Sequence, residues 1–314
     1  MTNDANGRVV YCVITDSYGQ KITTDIVSVS TCRTHVLGEE IPAGKCDSGY
    51  AFHASCSICG TEKYSYYDSI LTFVDDDGKM QAMVHWEKII DATGIKMTAA
   101  LIGSQMQDQT DYDTWWAYSG WDLLGRLQEK GVDFVNHTYA HKRLTTLTEA
   151  ELHEDFRKCK EALKKYGIDS NILVYPFNAH NDLVDSVAAQ YFDAAFCGKE
   201  LIITDITEDP YGLTRVNVND GTYKKVIAFE NGKVVECIGV KKLETLQGEM
   251  QQALDCNGWL VCLSHAYDSP SGKYYFDEQS EQTIIDFCHY VQDLGNVKIV
   301  TLTEGLAAAA DMDL

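Results

Sequence analysis

Two histidines four residues apart, in the run Asn136-His137-Thr138-Tyr139-Ala140-His141, are the sharpest chemical signal in this chain. That spacing can present both imidazoles to one cation, and neutral ring nitrogens are common ligands for zinc and its neighbours. Three other groups could act beside them: the acidic triplet Asp75-Asp76-Asp77 ahead of Gly78, the segment Tyr175-Pro176-Phe177, and Leu263-Ser264-His265. A carboxylate can complete a metal site or take a proton, and a lone imidazole can donate one. Taken singly, each has an ordinary explanation: an acidic triplet is more often a solvated turn, and an isolated histidine more often fills a core or surface position. A further set lies nearer the N-terminus, with Cys32-x2-His35, Cys46, His53 and Cys56-x2-Cys59-Gly60. Cys32, His35, Cys56 and Cys59 could close a four-ligand zinc site across the intervening loop, because two-residue spacing lets one turn supply two ligands. The plainer reading is a loop whose thiols are free or disulfide-bonded.

The elements that must position these groups raise them above coincidence. Apolar, strand-like runs occur at 69–74, 97–103, 132–136, 171–177, 194–197, 259–265 and 297–302, with another strand-like stretch, LTRVNV, at 213–218. Helical segments lie between most of them. The clearest starts at Thr148, where Thr148 and Glu151 predict a capping box; Leu152, Phe156, Cys159, Leu163 and Tyr166 recur at helical spacing until Gly167. Residues 276–294 repeat the pattern, with Ile284, Cys288 and Val291 ahead of Gly295. Buried strands alternating with amphipathic helices predict an α/β domain with a mainly parallel sheet, and this number of repeats favours an irregular (β/α) barrel over an open sheet. The triplet, the histidine pair, Tyr175-Pro176 and His265 all fall at carboxyl ends of strands, the rim where barrels carry their chemistry. Residues 1–64 read differently: they are rich in Thr, Ser, Val and Gly and predict a small β segment ahead of a domain over 65–314. Within it, 9–14 and 22–29 flank a polar break and predict a hairpin.

Two resemblances follow from these residues. The run YCVITDSYGQKITTDIVSVS resembles the last two strands of an immunoglobulin-like domain, which implies that the chain starts inside a module of something longer. From about 66 to 314 the sequence resembles the NodB-type polysaccharide deacetylases, carbohydrate esterase family four. TFVDDDG at 72–78 matches the family's Thr-Phe-Asp-Asp-Gly, HTYAH at 137–141 its His-Ser/Thr-x-x-His, and LSH at 263–265 its Leu-x-His; Tyr175-Pro176-Phe177 matches part of Arg-x-Pro-Tyr, with Val174 before it. The resemblance implies one divalent ion, zinc ahead of cobalt, nickel or manganese, held by His137, His141 and one aspartate. It implies a second aspartate as general base, the Tyr175-Pro176 segment at the oxyanion through the Tyr175 amide, and His265 as the acid that protonates the leaving group. Keeping Val74 as the apolar residue before the pair makes Asp75 the base and Asp76 the ligand, the register preferred here; aligning at Gly78 makes them Asp76 and Asp77. The arginine of the third motif is missing, and Arg215 is the residue that could replace it; the fourth motif, with the aspartate that tunes the acid histidine, has no recognisable counterpart.

The implied reaction is release of acetate from an acetylated polysaccharide, N-acetyl ahead of O-acetyl. A carbohydrate-binding module that has lost turnover and an amidase for a small non-sugar amide are the alternatives. Among secondary candidates, His180 could touch substrate, although a loop histidine without a role is the plainer reading. Trp115, Trp116, Trp121 and Tyr139 could stack on sugar rings, with core packing preferred for the tryptophans; His85, His153 and His289 fall in helices and need no chemistry. Composition narrows the partners. Lys+Arg 26 against Asp+Glu 47 gives a net charge of −21, which repels nucleic acid and anionic membranes. No apolar run approaches the roughly 20 residues of a membrane span, and the N-terminal residues lack signal-peptide character. The eleven cysteines are an odd number, so compartment stays open, with an extracellular, cell-surface or virion setting suggested by the immunoglobulin-like stretch.

Overall fold

The computed structural model describes residues 35–114, 116–228, 234–268 and 274–311 together with four short strands among the first 34 residues. Those strands, β1 (Arg8–Val10), β2 (Val13–Thr15), β3 (Lys21–Thr23) and β4 (Val27–Val29), pair as β2 with β3 and β1 with β4, both antiparallel and nested. The expected hairpin is therefore present. An immunoglobulin-like module receives no support beyond it. Cys32 and Trp115 lie outside the described residues.

Where the Cys and His residues of 35–59 predict a loop, an antiparallel sheet forms instead: β5 (Ile41–Cys46), β6 (Gly49–Ser55) and β7 (Glu62–Tyr67). In β6, Gly49, Tyr50, Ala51 and Phe52 are buried one after another. A strand buried on consecutive positions shows no alternation of polar and apolar residues, which is why the period-2 signal is missing from the sequence.

The barrel is built from β8 (Ser69–Asp77), β9 (Thr98–Leu101), β10 (Asp133–Asn136), β11 (Ile172–Val174), β12 (Ala194–Gly198), β13 (Leu213–Asn217) and, after the hairpin β14 (Asn219–Ala228) and β15 (Val234–Val240), β16 (Trp259–Ser264). Each pairs in parallel with the next of the seven, and β16 returns to β8 to close the ring. β8 is buried along all but its last residue, as expected of a parallel strand covered on both faces. One of its edges is shared: β9 takes the upper half, Val74–Asp77, and β17 (Val297–Ile299) the lower half, Ser69–Leu71. That split makes the barrel irregular. The run at 297–302 is thus an eighth strand beside the ring, and the stretch at 213–218 is a full member of it.

Helices α1 (Met80–Thr93), α2 (Trp121–Glu129), α3 (Glu149–Lys164), α4 (Asp182–Ala188), α5 (Leu243–Asp255), α6 (Glu278–Leu294) and α7 (Leu302–Ala309) follow the strands. The Thr148–Glu151 capping box forms as predicted, and Leu152, Phe156, Cys159 and Leu163 lie on the buried face of α3. α6 ends at Gly295 with φ 73°, the left-handed conformation that glycine adopts without strain. At the base of the ring, Tyr50 and Phe52 of β6 pack with Ile70, Phe196 and Trp259 and with Leu302 and Ala308 of α7. The Lys45 amide donates to the Ala310 carbonyl (2.7 Å) and the Tyr50 hydroxyl to the Asn257 carbonyl (3.3 Å). The β5–β7 sheet therefore floors the barrel, and the opposite rim is left open.

Candidate active site

The carboxyl ends of β8 and β10 deliver three donor atoms to one point. Asp77 Oδ1 lies 3.1 Å from His141 Nε2 and 3.5 Å from His137 Nε2. His137, 1% exposed, points its Nδ1 at the Val174 carbonyl (2.8 Å), which fixes the ring so that Nε2 faces Asp77. Asp77 Oδ2 accepts the Tyr267 hydroxyl (2.5 Å), whereas Oδ1 is buried without a hydrogen-bond partner among the described residues. A buried carboxylate oxygen without a donor, facing two imidazole nitrogens, suits a divalent cation, and a set of two nitrogens and one oxygen suits zinc and its neighbours. Burial pushes Asp77 up, but His137 and His141 outweigh it and hold the carboxyl well below its ordinary value.

Backbone strain aims these groups. Asp77 (φ 81°), Thr138 (φ 64°), His141 (φ 50°), Phe177 (φ 59°) and Asn178 (φ 52°) all occupy the left-handed region and all lie at this rim. The loop between the histidines is tied down from α3, where Asp155 accepts the amides of Tyr139 (2.7 Å) and Ala140 (3.1 Å).

The triplet does not follow the preferred register. Asp76, expected as a metal ligand, turns away from the histidine pair to Arg215, which donates to Oδ1 (2.7 Å) and Oδ2 (3.2 Å). Asp75, expected as the base, is fully buried: its Oδ2 accepts Trp86 Nε1 (3.0 Å), the Ala266 amide (2.9 Å) and the Ser264 hydroxyl. Burial pushes its carboxyl up to about 7 despite those donors. The register with Val74 before the pair keeps an aspartate out of a buried position, where a carboxylate ordinarily lacks partners; donors from α1 and from the end of β16 supply them here. The alternative register, with Asp77 among the histidines and Asp76 beside them, is the one the geometry matches. Arg215, 0% exposed, fills the place of the missing arginine from β13 and also donates to Asn178 Oδ1 (3.1 Å).

Residues 67–192 match the polysaccharide deacetylase family model. The match supports a deacetylase domain of the NodB type, and the closed seven-stranded parallel barrel is the fold expected of it. The matched stretch contains Asp77, His137, His141 and Tyr175, and stops short of Arg215 and His265. Similar solved structures include a chitin deacetylase from Colletotrichum lindemuthianum (16% identity, 78% of this chain and 88% of that one, TM-score 0.49). A family 4 carbohydrate esterase from Streptomyces lividans shows 15% identity over 78% of this chain and 98% of that one, TM-score 0.47. A search of curated protein sequences finds no match.

Other positions in the barrel depart from expectation. The Tyr175 amide cannot serve an oxyanion, because it donates to the Phe196 carbonyl (3.0 Å) as part of the sheet, and Pro176 has no N–H to offer. The Tyr175 ring is buried, stacked on His180 (4.9 Å), and its hydroxyl donates to Asp185 (2.7 Å). His180 is likewise occupied by Asp185 (3.0 Å). Phe177, two residues on, is the one that lines the cavity, its ring 4.8 Å from that of His141. Its amide has no hydrogen-bond partner among the described residues.

His265 enters from β16 into the same cavity of about 390 Å³ that holds Asp76, Asp77, His137 and His141. Its ring stacks on Tyr274 (4.4 Å between centroids), and its Nδ1 has no hydrogen-bond partner among the described residues. Burial lowers the His265 pKa, against the pull of Asp76 and Asp77. Trp116 packs on the edge of the core as expected and also lines the cavity against Tyr267, whereas Trp121 packs on Phe134 and Tyr166. His85 pairs with Glu281, His153 bonds Tyr191, and His289 is an exposed residue of α6. In the N-terminal set, His35, Cys56 and Cys59 converge; Cys46 lies in β5, and His53 stacks on Tyr64.

Proposed function

We propose that this protein removes acetyl groups from a polysaccharide, N-acetyl in preference to O-acetyl, with a divalent cation held by Asp77, His137 and His141. One observation carries the reading: the three ligand atoms meet in a cavity whose walls also supply a buried carboxylate–guanidinium pair and a separate histidine. A cation there would supply a Lewis acid for the acetyl carbonyl and would raise the acidity of water. Asp76, ionised beside Arg215, is the base that accepts the proton of the attacking water. The unpartnered Phe177 amide is the donor placed for the carbonyl oxygen as it gains negative charge. His265, on the far wall, protonates the departing group. An amine must be protonated to leave, whereas an alcohol needs less help, so a dedicated acid histidine favours the amide substrate. The incomplete third and fourth motifs are the ground for an inactive binding module, and the Arg215–Asp76 pair answers the third.

An acetate-release assay over N- and O-acetylated glycans tests this, run on the wild type with and without chelator and on His137→Ala. Release is expected from an N-acetylated polymer, to stop with chelator, and to fall by at least about a hundredfold in the variant. Release that survives both treatments would overturn the metal-assisted reading, and no release from any glycan by the metal-loaded protein would favour a binding role.

A further inference from the structure

We propose that His35, Cys56 and Cys59 hold a second zinc ion whose work is structural, fastening the tip of the β6–β7 hairpin to the segment that leads into β5. Their ligand atoms all lie within 4.8 Å of one another, with Cys59 Sγ 3.4 Å from His35 Nδ1. The turn between the strands has the shape that such a site needs. Gly60, at φ 71°, donates its amide to the Cys56 carbonyl (2.8 Å), folding Cys56-Ser57-Ile58-Cys59 so that both sulfurs fall on one side. The amides of Ile58 and Cys59 point at the Cys56 sulfur, a setting that suits a metal-bound sulfur. The imidazole is brought in by backbone pairing: the Ser57 amide donates to the Val36 carbonyl (2.9 Å) and the Gly38 amide to the Ser55 carbonyl (3.1 Å), with Leu37 bridged to Cys56. Backbone pairing thus registers the segment ahead of β5 against the hairpin tip that carries both sulfurs.

Two thiolates and an imidazole form a soft donor set, unlike the nitrogen–oxygen set at the rim, and structural zinc sites draw on such ligands. The fourth tetrahedral position is left to water or a further ligand. Cys56 and Cys59 are not disulfide-bonded. The location argues for structure over catalysis, because the hairpin belongs to the sheet that floors the barrel, at the end opposite Asp77 and His265.

The test is metal analysis of the full chain by plasma mass spectrometry, with cobalt reconstitution read by absorption. The wild type is expected to carry two ions, Asp77→Asn/His141→Gln one, and Cys56→Ser/Cys59→Ser one. The cobalt form of the Asp77→Asn/His141→Gln protein should keep the near-ultraviolet thiolate-to-cobalt band, and the cysteine variant should lose it. Should the cysteine variant fail to fold, a mercurial thiol reagent added to zinc-loaded Asp77→Asn/His141→Gln protein should free one zinc. A wild type with a single ion that disappears with Asp77 and His141, a cobalt spectrum without the thiolate band, or a Cys56–Cys59 disulfide in the purified protein would each overturn the proposal. Metal content and absorption do not depend on turnover, so a failed deacetylase assay leaves the test intact.

Discussion

Arg215 has no exposed surface, and its guanidinium is committed to both oxygens of Asp76 and to Asn178. Burial pushes the Asp76 carboxyl up, and the positive charges of Arg215, His137 and His265 pull it down and prevail. A carboxyl with a depressed pKa is ionised, and able to act as a base, at every pH above that value. Arg215→Met removes the largest opposing charge, so burial dominates, the pKa rises, and the ascending limb of kcat/KM moves to higher pH. Breaking a buried pair costs about 3–5 kcal/mol, and a pKa unit is about 1.4 kcal/mol, so a move of up to roughly two to three and a half pH units is expected. Arg215→Lys keeps a charge without the forked geometry and should move the limb less. pH–rate profiles of the three proteins decide it; a limb that stays in place in Arg215→Met would assign the proton transfer to another group. At this scale the histidine pair was legible because both rings sit on one short loop after a buried strand. The triplet was not. Choosing among Asp75, Asp76 and Asp77 depends on Trp86 and Ser264, which come from elsewhere in the chain, and on the left-handed turn at Asp77.

The floor of the barrel is the element whose loss should be felt without touching the rim. Phe52 is fully buried against β8, β16 and α7 and meets Tyr67 edge-on (5.6 Å). Phe52→Ala should destabilise the fold by about 3–5 kcal/mol, read as a lowered denaturant midpoint, while kcat/KM per folded molecule stays near the wild-type value. A loss of activity without a loss of stability would mean that the floor helps to position the rim. The strands and helices of the barrel were legible because each buries a continuous apolar run or a helical stripe, and the Thr148 and Gly295 boundaries follow from capping chemistry. The β5–β7 sheet was not, because its buried positions run together in β6 and its Cys and His residues suggest a loop. Closure was hidden as well: that β13 completes the ring while β17 takes only the lower edge of β8 is decided by pairing between distant segments. The oxyanion position failed for a related reason, since the Tyr175 amide is spent on the next strand.

The whole molecule carries a net charge of −21, which bears on the proposed removal of N-acetyl groups from a polymer. Each N-acetyl group removed uncovers an amine that is protonated near neutral pH, so the substrate becomes more cationic as the reaction proceeds. An acidic protein should hold that product more tightly than the starting material, most of all at low salt, where the screening length is long. The late phase of acetate release from an N-acetylated polymer should therefore slow at about 0.02 M salt and recover towards about 0.3 M, as the Debye length shrinks from roughly 20 Å to below about 10 Å. An O-acetylated neutral glycan offers the control, because its product gains no charge and its late phase should show no such dependence. Initial rates on fully acetylated polymer should respond little to salt in both cases, which separates product retention from a general effect on the fold. If the late phase of N-deacetylation ignores salt, the negative charge lies too far from the rim to hold the product, and retention on the polymer must come from ring contacts such as those Trp116 and Phe177 can make from the cavity wall.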